Sequence, residues 1–315
     1  MKKISIIVPF KNTPIVWFKK LINSLNEQSN KNFEAIFIDD NSDDSKTYKK
    51  LIQNNGYKYY LNNNDEYKGV GRLRDLGVKI AKYELIWFVD SDDWLTSDAV
   101  DYLLKSFDKY QDVDLIMFDY HWVFNLKKDS NKQIDQNNYK EYISKNEISK
   151  NNMKWFHNNY QTDWRVCFKK EFLINNNIEH RKNDYIFEDV YYGLIWKIKF
   201  KKILLSSKKI YYYNRLNNSS TLNNYKFKPE FLLKTLLDNK NYLIETNQFD
   251  EIWYFYCLNW IHALIQLKKT NMYNFGYKQV KEKLENKKTY TAKQIGINKY
   301  WIMNKISKLM SIYKK

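Results

Sequence analysis

Glu84-Leu-Ile-Trp-Phe-Val-Asp-Ser-Asp-Asp93 runs a continuous apolar segment straight into a knot of carboxylates. Leu85 to Val89 have the length and the β-branched, aromatic bias of a strand covered on both faces. Such a strand delivers Asp90, Asp92 and Asp93 together at its carboxyl end. Carboxylates this close raise one another's pKa unless a divalent cation or a basic partner neutralises them. Oxygen-only ligands favour Mg²⁺ or Mn²⁺, ions that keep positions open for the phosphates of a nucleotide. A plainer reading is a solvated loop in which Asp93 or Thr96 caps a helix over Ala99 to Tyr110.

Two further segments repeat the theme. Ile4-Ser-Ile-Ile-Val-Pro-Phe-Lys-Asn12 is a short apolar strand ending near Pro9, followed by a helical pattern through Val16, Leu21, Ile22 and Leu25 that Gln28 to Asn32 breaks. Phe33-Glu-Ala-Ile-Phe-Ile-Asp-Asp-Asn-Ser42 is again a strand that ends in acids. Strands alternating with helices imply an α/β fold with a mostly parallel sheet, whose ligand crevice lies outside the strands' carboxyl ends. The segments Pro9–Asn12, Asp39–Ser42 and Asp90–Asp93 therefore share one edge. Between them, Gly69-Val-Gly71 opens a helix that carries Arg72 and Arg74, whose planar forks suit phosphate or carboxylate. A third glycine is lacking, which excludes the dinucleotide fingerprint of a nicotinamide enzyme. On a surface helix the same arginines would simply pair with Asp65, Glu66 or Asp75.

In order and spacing these motifs resemble those of the family 2 glycosyltransferases with the GT-A fold: an opening strand at Ile6–Asn12, the Asp-Asp-Gly-Ser segment at Asp39–Ser42, the Gly-x-x-x-Ala-Arg-Asn-x-Gly helix start at Gly69–Gly77, and the Asp-x-Asp motif at Asp90–Asp92. Asn41 stands where the family has Gly, Leu73 where it has Ala and Asp75 where it has Asn. The resemblance implies a Rossmann-like sheet with helices on both faces, a nucleotide-sugar donor and a Mn²⁺ or Mg²⁺ cofactor. It places Pro9, Phe10, Asn12, Asp39, Asp40, Gly69, Arg74, Asp90 and Arg215 at the nucleotide, and Asp92 with Asp90 at the metal. Glu188-Asp189 resembles the family's Glu-Asp motif, with Asp189 as the general base and Glu188 as its neighbour holding an acceptor hydroxyl or a helix N-terminus. Without the upstream motifs, the pair reads as a complement to a helix dipole. Asp163 to Phe172 resembles the stretch that helps wall the acceptor pocket of capsule-type members, where Trp164 would stack on a sugar and Arg165 meet an anionic group, and each residue reads equally as structural. Tyr211 to Thr221 resembles the family's Tyr-x-Arg and serine-rich loop, which implies that Arg215 with Ser219 to Thr221 closes as a lid over the diphosphate; the same residues read as an edge strand through the Tyr run with Asn217–Ser220 as its turn. The implied activity is inverting sugar transfer, from a donor expected to be a UDP-sugar, to a glycan or lipid-linked acceptor in cell-surface polysaccharide synthesis.

Composition sets outer bounds. The chain has 315 residues, 43% hydrophobic and 17% aromatic, enough for a globular core. Cys167 and Cys257 show no metal-ligand spacing, and the amino terminus is itself a strand without a leader's pattern, so a cytoplasmic protein is expected. A net charge of +17 invites anionic partners. No nucleic-acid motif accompanies it, and acidic strand ends repel phosphates unless a cation is bound. A sugar nucleotidyltransferase would want a glycine-rich basic loop directly after the first strand, which Pro9–Asn12 is not. Two regions are expected: a catalytic domain over 1–224 and a helical region over 225–315, with the polar stretch 125–152 connecting nucleotide and acceptor halves. Within the helical region, Ile252 to Leu267 is too short and too polar for a membrane span. The basic final helix has an apolar face through Ile302, Ile306, Leu309 and Tyr313, suited either to the inner face of an anionic membrane or to docking on the protein.

Overall fold

The computed structural model describes residues 2–126, 139–145, 162–182, 188–217, 235, 238–239 and 241–246. In chain order the elements are β1 (Ile4–Phe10), α1 (Ile15–Asn26), β2 (Phe33–Asp39), α2 (Ser45–Asn54), β3 (Lys58–Leu61), α3 (Val70–Ile80), β4 (Leu85–Phe88), β5 (Trp94–Leu95), α4 (Ala99–Lys109), β6 (Leu115–Val123), β7 (Glu141–Lys145), β8 (Val166–Lys169), α5 (Lys170–Asn175), α6 (Glu188–Lys199) and β9 (Lys202–Asn214). The chain divides into two compact units, Met1–Asn146 with Gln161–Lys226, and Glu147–Tyr160 with Phe227–Lys315. Helical residues 241–245 belong to the second unit. The apolar stretch 252–267, Cys257 and the basic carboxyl-terminal helix lie outside the described residues.

Apolar runs become buried strands as their patterns require. Every residue of β1 is buried, and β2 and β4 are buried along nearly their whole length. The strand order is β3-β2-β1-β4-β8-β6-β9-β5, with β7 also on β9. The pairs β2·β3, β1·β2, β1·β4 and β6·β9 are parallel, so parallel ladders carry most of the paired residues. From β1 the chain builds outward to β2 and β3, then returns through α3 to β4 on the other side of β1. That reversal opens a crevice beyond the carboxyl ends of β1 and β4.

The second half departs from simple alternation. β8 is inserted between β4 and β6 and runs antiparallel to both. Because β8 runs the opposite way to β4, the residues that precede it emerge at β4's carboxyl end. Asp163-Trp164-Arg165, a 3-10 turn, is thereby brought to the crevice. Glu141–Lys145, inside the stretch expected to be a connection, forms β7 antiparallel to β9. Neither Asp93 nor Thr96 caps α4. Asp98 occupies the N-cap without a side-chain bond, and the Val100 N–H donates instead to Gln28 Oε1 at 3.0 Å. Gln28 Nε2 also donates to Ser24 and Thr96 carbonyls, so the residue that breaks α1's pattern fastens α1 to α4.

Two glycines of α3 permit close packing within the protein. A Cβ at Gly77 would lie 2.3 Å from Ile7 Cγ2, and one at Gly71 would lie 2.7 Å from the His180 ring and 2.9 Å from Glu188 Cγ. Gly77→Ala is expected to destabilise the chain by about 1–3 kcal/mol, because a rigid helix would be pushed off β1. A fall in the urea midpoint with unchanged slope checks this; an unchanged midpoint would show that α3 shifts freely.

Candidate active site

The first loop is built by asparagines. Asn12 (φ 50°) and Asn41 (φ 59°) both adopt the left-handed conformation that Asn tolerates better than most residues. Asn41 can therefore stand where the family has Gly. Asn12 Nδ2 donates to Asp43 and its Oδ1 accepts the Asp43 N–H at 2.8 Å, which ties the β1 loop to the β2 loop. Asp39 is fully buried and accepts the Ser42 N–H and the Tyr59 hydroxyl, so it braces the turn. Asp40 is half-buried and accepts from Asn62 Nδ2. Pro9 is buried within β1, and Phe10 packs at 4.9 Å from Phe18 and 5.1 Å from Tyr48. Both support the site from the core. Thr13 Oγ1 and Ser91 Oγ, 2.6 Å apart, link this loop to the Asp90–Asp92 segment.

At the end of β4 the three acids separate by environment. Asp93 is almost wholly buried, accepting the Tyr211 hydroxyl at 2.6 Å and the Asn214 N–H at 2.7 Å. Its carboxyl is pushed up by burial and by the charges of Asp92 and Asp90. It anchors β9 under the site. Asp92 is half-buried; burial, then the Asp90 charge, raise it to about 6 against the hydrogen bond from Asn217 Nδ2. Asp90 Oδ1 meets Arg74 Nη2 at 2.8 Å. Among the described residues no group of three His, Cys, Asp or Glu side chains is arranged to hold a metal alone. The Asp90–Asp92 pair nonetheless fits a hard divalent cation, because both donors are carboxylate oxygens and a cation would relieve the repulsion that raises Asp92.

Arg74 is the hub. Gly69, at φ 91°, turns the chain into α3, and Arg74 leaves that helix almost completely buried. One Nη1 reaches Asp163 and Glu188, each at 3.0 Å, while Nη2 reaches Asp90. Burial opposes its charge, but the three carboxylates outweigh that and hold its pKa above the ordinary guanidinium value. The alternative pairing holds for Arg72, which lies 2.7 Å from Asp75 and 3.9 Å from Glu66, but not on a surface, since Arg72 is buried; Arg74 pairs with other acids altogether. Glu188 and Asp189 begin α6. Burial raises Asp189 well above the usual carboxylate range; Glu188 and Asp163 add to this, and Arg74 opposes it. Glu188 is raised by burial, with Arg74 holding it down. A carboxylate so raised is a better proton acceptor than one in water.

The acceptor candidates lie elsewhere than a free wall. Trp164 is 6% exposed and stacks on Tyr211 and Tyr213 at 4.6 and 5.1 Å. Arg165 is directed inward, with Nε donating to the Phe118 carbonyl and burial lowering its pKa. Arg215 is exposed, its guanidinium 5.8 Å from the Trp122 ring centroid, next to the site through Asn214. Ser219 to Thr221 lie outside the described residues. Sequence reasoning missed Asp163, His180, Tyr211, Asn214 and Asn217. Asp163 opens the stretch that runs into β8, and Tyr211, Asn214 and Asn217 lie in the stretch that carries Arg215, whereas His180 left no signal.

A crevice at the carboxyl ends of parallel strands, with acids of raised pKa on two sides, has the features of an enzyme's site. The chain belongs to glycosyl transferase family 2, which matches residues 5–172. Over 263 residues it is 25% identical to EpsH of Bacillus subtilis strain 168, a protein bearing a glycosyltransferase's name, spanning 79% of this chain and 71% of that one. Over 108 residues it is 36% identical to the GalNAc(5)-diNAcBac-PP-undecaprenol beta-1,3-glucosyltransferase of Campylobacter jejuni, a match that spans 33% of this chain and 34% of that enzyme. The solved structure of S. aureus TarS 1-349 in complex with UDP-GlcNAc shares the fold at a TM-score of 0.60 and 19% identity, covering 85% of this chain and 81% of that one.

Removing Arg74 leaves Asp90, Asp163 and Glu188 without the guanidinium that joins all three. Arg74→Met is expected to cost about 3–5 kcal/mol in unfolding free energy by urea titration. A loss under about 1 kcal/mol would show that the carboxylates neutralise one another by sharing protons.

Proposed function

We propose that this glycosyltransferase moves a sugar from a UDP-sugar to a glycan or lipid-linked acceptor, with inversion at the anomeric carbon and with Mn²⁺ or Mg²⁺, in cell-surface polysaccharide assembly. The observation that carries the reading is the division of acids around Arg74: Asp90 and Asp92 at the crevice end of β4, Glu188 and Asp189 on α6. A TarS structure contains UDP-GlcNAc and the Campylobacter relative's name specifies an undecaprenol-linked acceptor, which support the donor and acceptor classes. The metal's share of the site would be Asp90 and Asp92; bound there, it would neutralise charge on the departing diphosphate.

In this mechanism the Asp189 carboxylate takes the proton of the acceptor hydroxyl. The acceptor oxygen bonds to the anomeric carbon as the bond from that carbon to the diphosphate oxygen breaks, and the bonding pair leaves with the UDP. Glu188 orients the acceptor hydroxyl, its own position fixed by Arg74. Pro9 to Asn12, Asp39, Asp40 and Gly69 shape the base and ribose end, and Arg215 approaches the diphosphate. Trp164 and Arg165 act on the acceptor side through the rings and strands they hold. We assign catalysis to residues 1–224 and an accessory role to 225–315, with the enzyme cytoplasmic at the inner membrane face, where the +17 charge favours an anionic surface.

UDP-, GDP- and CDP-sugars titrated with and without Mn²⁺ test the donor. One UDP-sugar is expected to bind in a metal-dependent way, with the dependence lost in Asp92→Ala. Asp189→Asn should keep donor binding and lose about 10²–10⁴-fold in kcat. Because Asp189 must be ionised to act, kcat should fall as pH drops through its raised pKa. Binding of no nucleotide sugar, or an Asp189→Asn enzyme of full activity, would overturn these roles.

A further inference from the structure

His180 is enclosed behind the site. Its Nδ1 lies 2.8 Å from Asp75 Oδ1 and its Nε2 lies 2.9 Å from Asp163 Oδ2. The ring stacks on Tyr192 with centroids 4.0 Å apart, meets Phe88 edge-on, and rests against Gly71, where no Cβ could fit. A neutral imidazole has one N–H and one bare nitrogen, and a bare nitrogen facing an ionised carboxylate oxygen at 2.9 Å is repelled. With ionised partners on both sides, only the imidazolium, with two N–H donors, satisfies both contacts.

We propose that His180 is a positioning residue held as the imidazolium cation: its two N–H groups tie Asp75 on α3 to Asp163 before β8, and so aim the Arg74 guanidinium between Asp90 and Glu188. The inference rests on the site reading given above. Asp163 Oδ2 is shared by His180 Nε2 and Arg74 Nη1, so a displacement of Asp163 is felt directly by Arg74. The backbone closes the other side, with the His180 N–H donating to Asp75 and the His180 carbonyl accepting from Arg72 at 3.1 Å. The charged or titratable groups facing the ring are Asp75, Arg72 and Arg74 from α3, Asp163 from the turn before β8, and Glu188 and Tyr192 from α6; Phe88 of β4 is uncharged. Burial alone would lower the imidazole's pKa, but the Asp75 charge and the bonds to Asp163 and Asp75 outweigh it and raise the value to about 9. Being raised above the ordinary 6.5, this contribution to stability is complete below about pH 6.5 and is lost as pH rises through about 9.

The test is ¹⁵N NMR of the histidine side chains in the full chain, which has four histidines, assigned by elimination with His121→Asn, His157→Asn and His262→Asn. The expected result is one buried histidine with both ring nitrogens protonated at pH 8 and a transition near 9. A His180 that is neutral at pH 7 overturns the proposal. In kinetics, the wild type should show an alkaline limb near pH 9. His180→Gln should lack that limb and lose about tenfold or more in kcat, with donor KM changed less than threefold, since the loss is one of aim. A His180→Gln enzyme that keeps both wild-type kcat and the limb also overturns it. The NMR readout needs no turnover. A charged His180 in an inactive chain would count against the transferase roles alone, and a neutral His180 in an active enzyme against this inference alone.

Discussion

The acids gathered at this sheet edge depend on one buried cation, the guanidinium of Arg74, which holds Asp90, Asp163 and Glu188 together. Its two terminal nitrogens contact acids from three separate parts of the chain: the end of β4, the turn before β8 and the start of α6. Lysine could supply the charge but not the planar fork that meets these partners from different directions. The antiparallel insertion of β8 follows the same need, since it brings Asp163 to the end of β4. The glycine at position 71 leaves room for His180 and Glu188 to close on the helix that carries Arg74.

The arrangement divides otherwise similar acids into different tasks. Asp93 is locked under β9 by the Tyr211 hydroxyl and the Asn214 N–H and has no open oxygen to offer. Asp92 is raised to about 6, mainly by burial and by Asp90, and a divalent cation would lower it again. Asp189 is raised further than its neighbours' compensation by Arg74 can offset. Electrostatic strain of this kind costs stability, and perturbed acids of this sort gather at functional sites.

The fold was legible where burial writes a simple pattern. Ile4–Phe10, Phe33–Asp39 and Leu85–Phe88 are largely apolar because both faces are covered, and their polar ends, acidic after β2 and β4, mark the crevice. β8 is four residues long and β7 lies in a polar stretch, so neither is distinguishable from a connection by periodicity. For Trp164 the sequence leaves a sugar-stacking role and a structural one equally open, because it does not reveal that Tyr211 and Tyr213 fill the space beside it. The Arg72–Asp75 pair was visible at helical spacing, but its burial depends on His180, more than a hundred residues away. Asn41 looked like a departure from pattern, and its left-handed backbone shows that the conformation was kept while the residue changed.

The most direct test of the account is a crystal structure of the full chain with UDP and Mn²⁺. The expected result is the diphosphate beyond the carboxyl ends of β1 and β4, Mn²⁺ on Asp92 with Asp90 beside it, and Arg74 still bound to Asp163 and Glu188. A diphosphate bound away from β4, or one bound directly by an Arg74 released from its carboxylates, would contradict it.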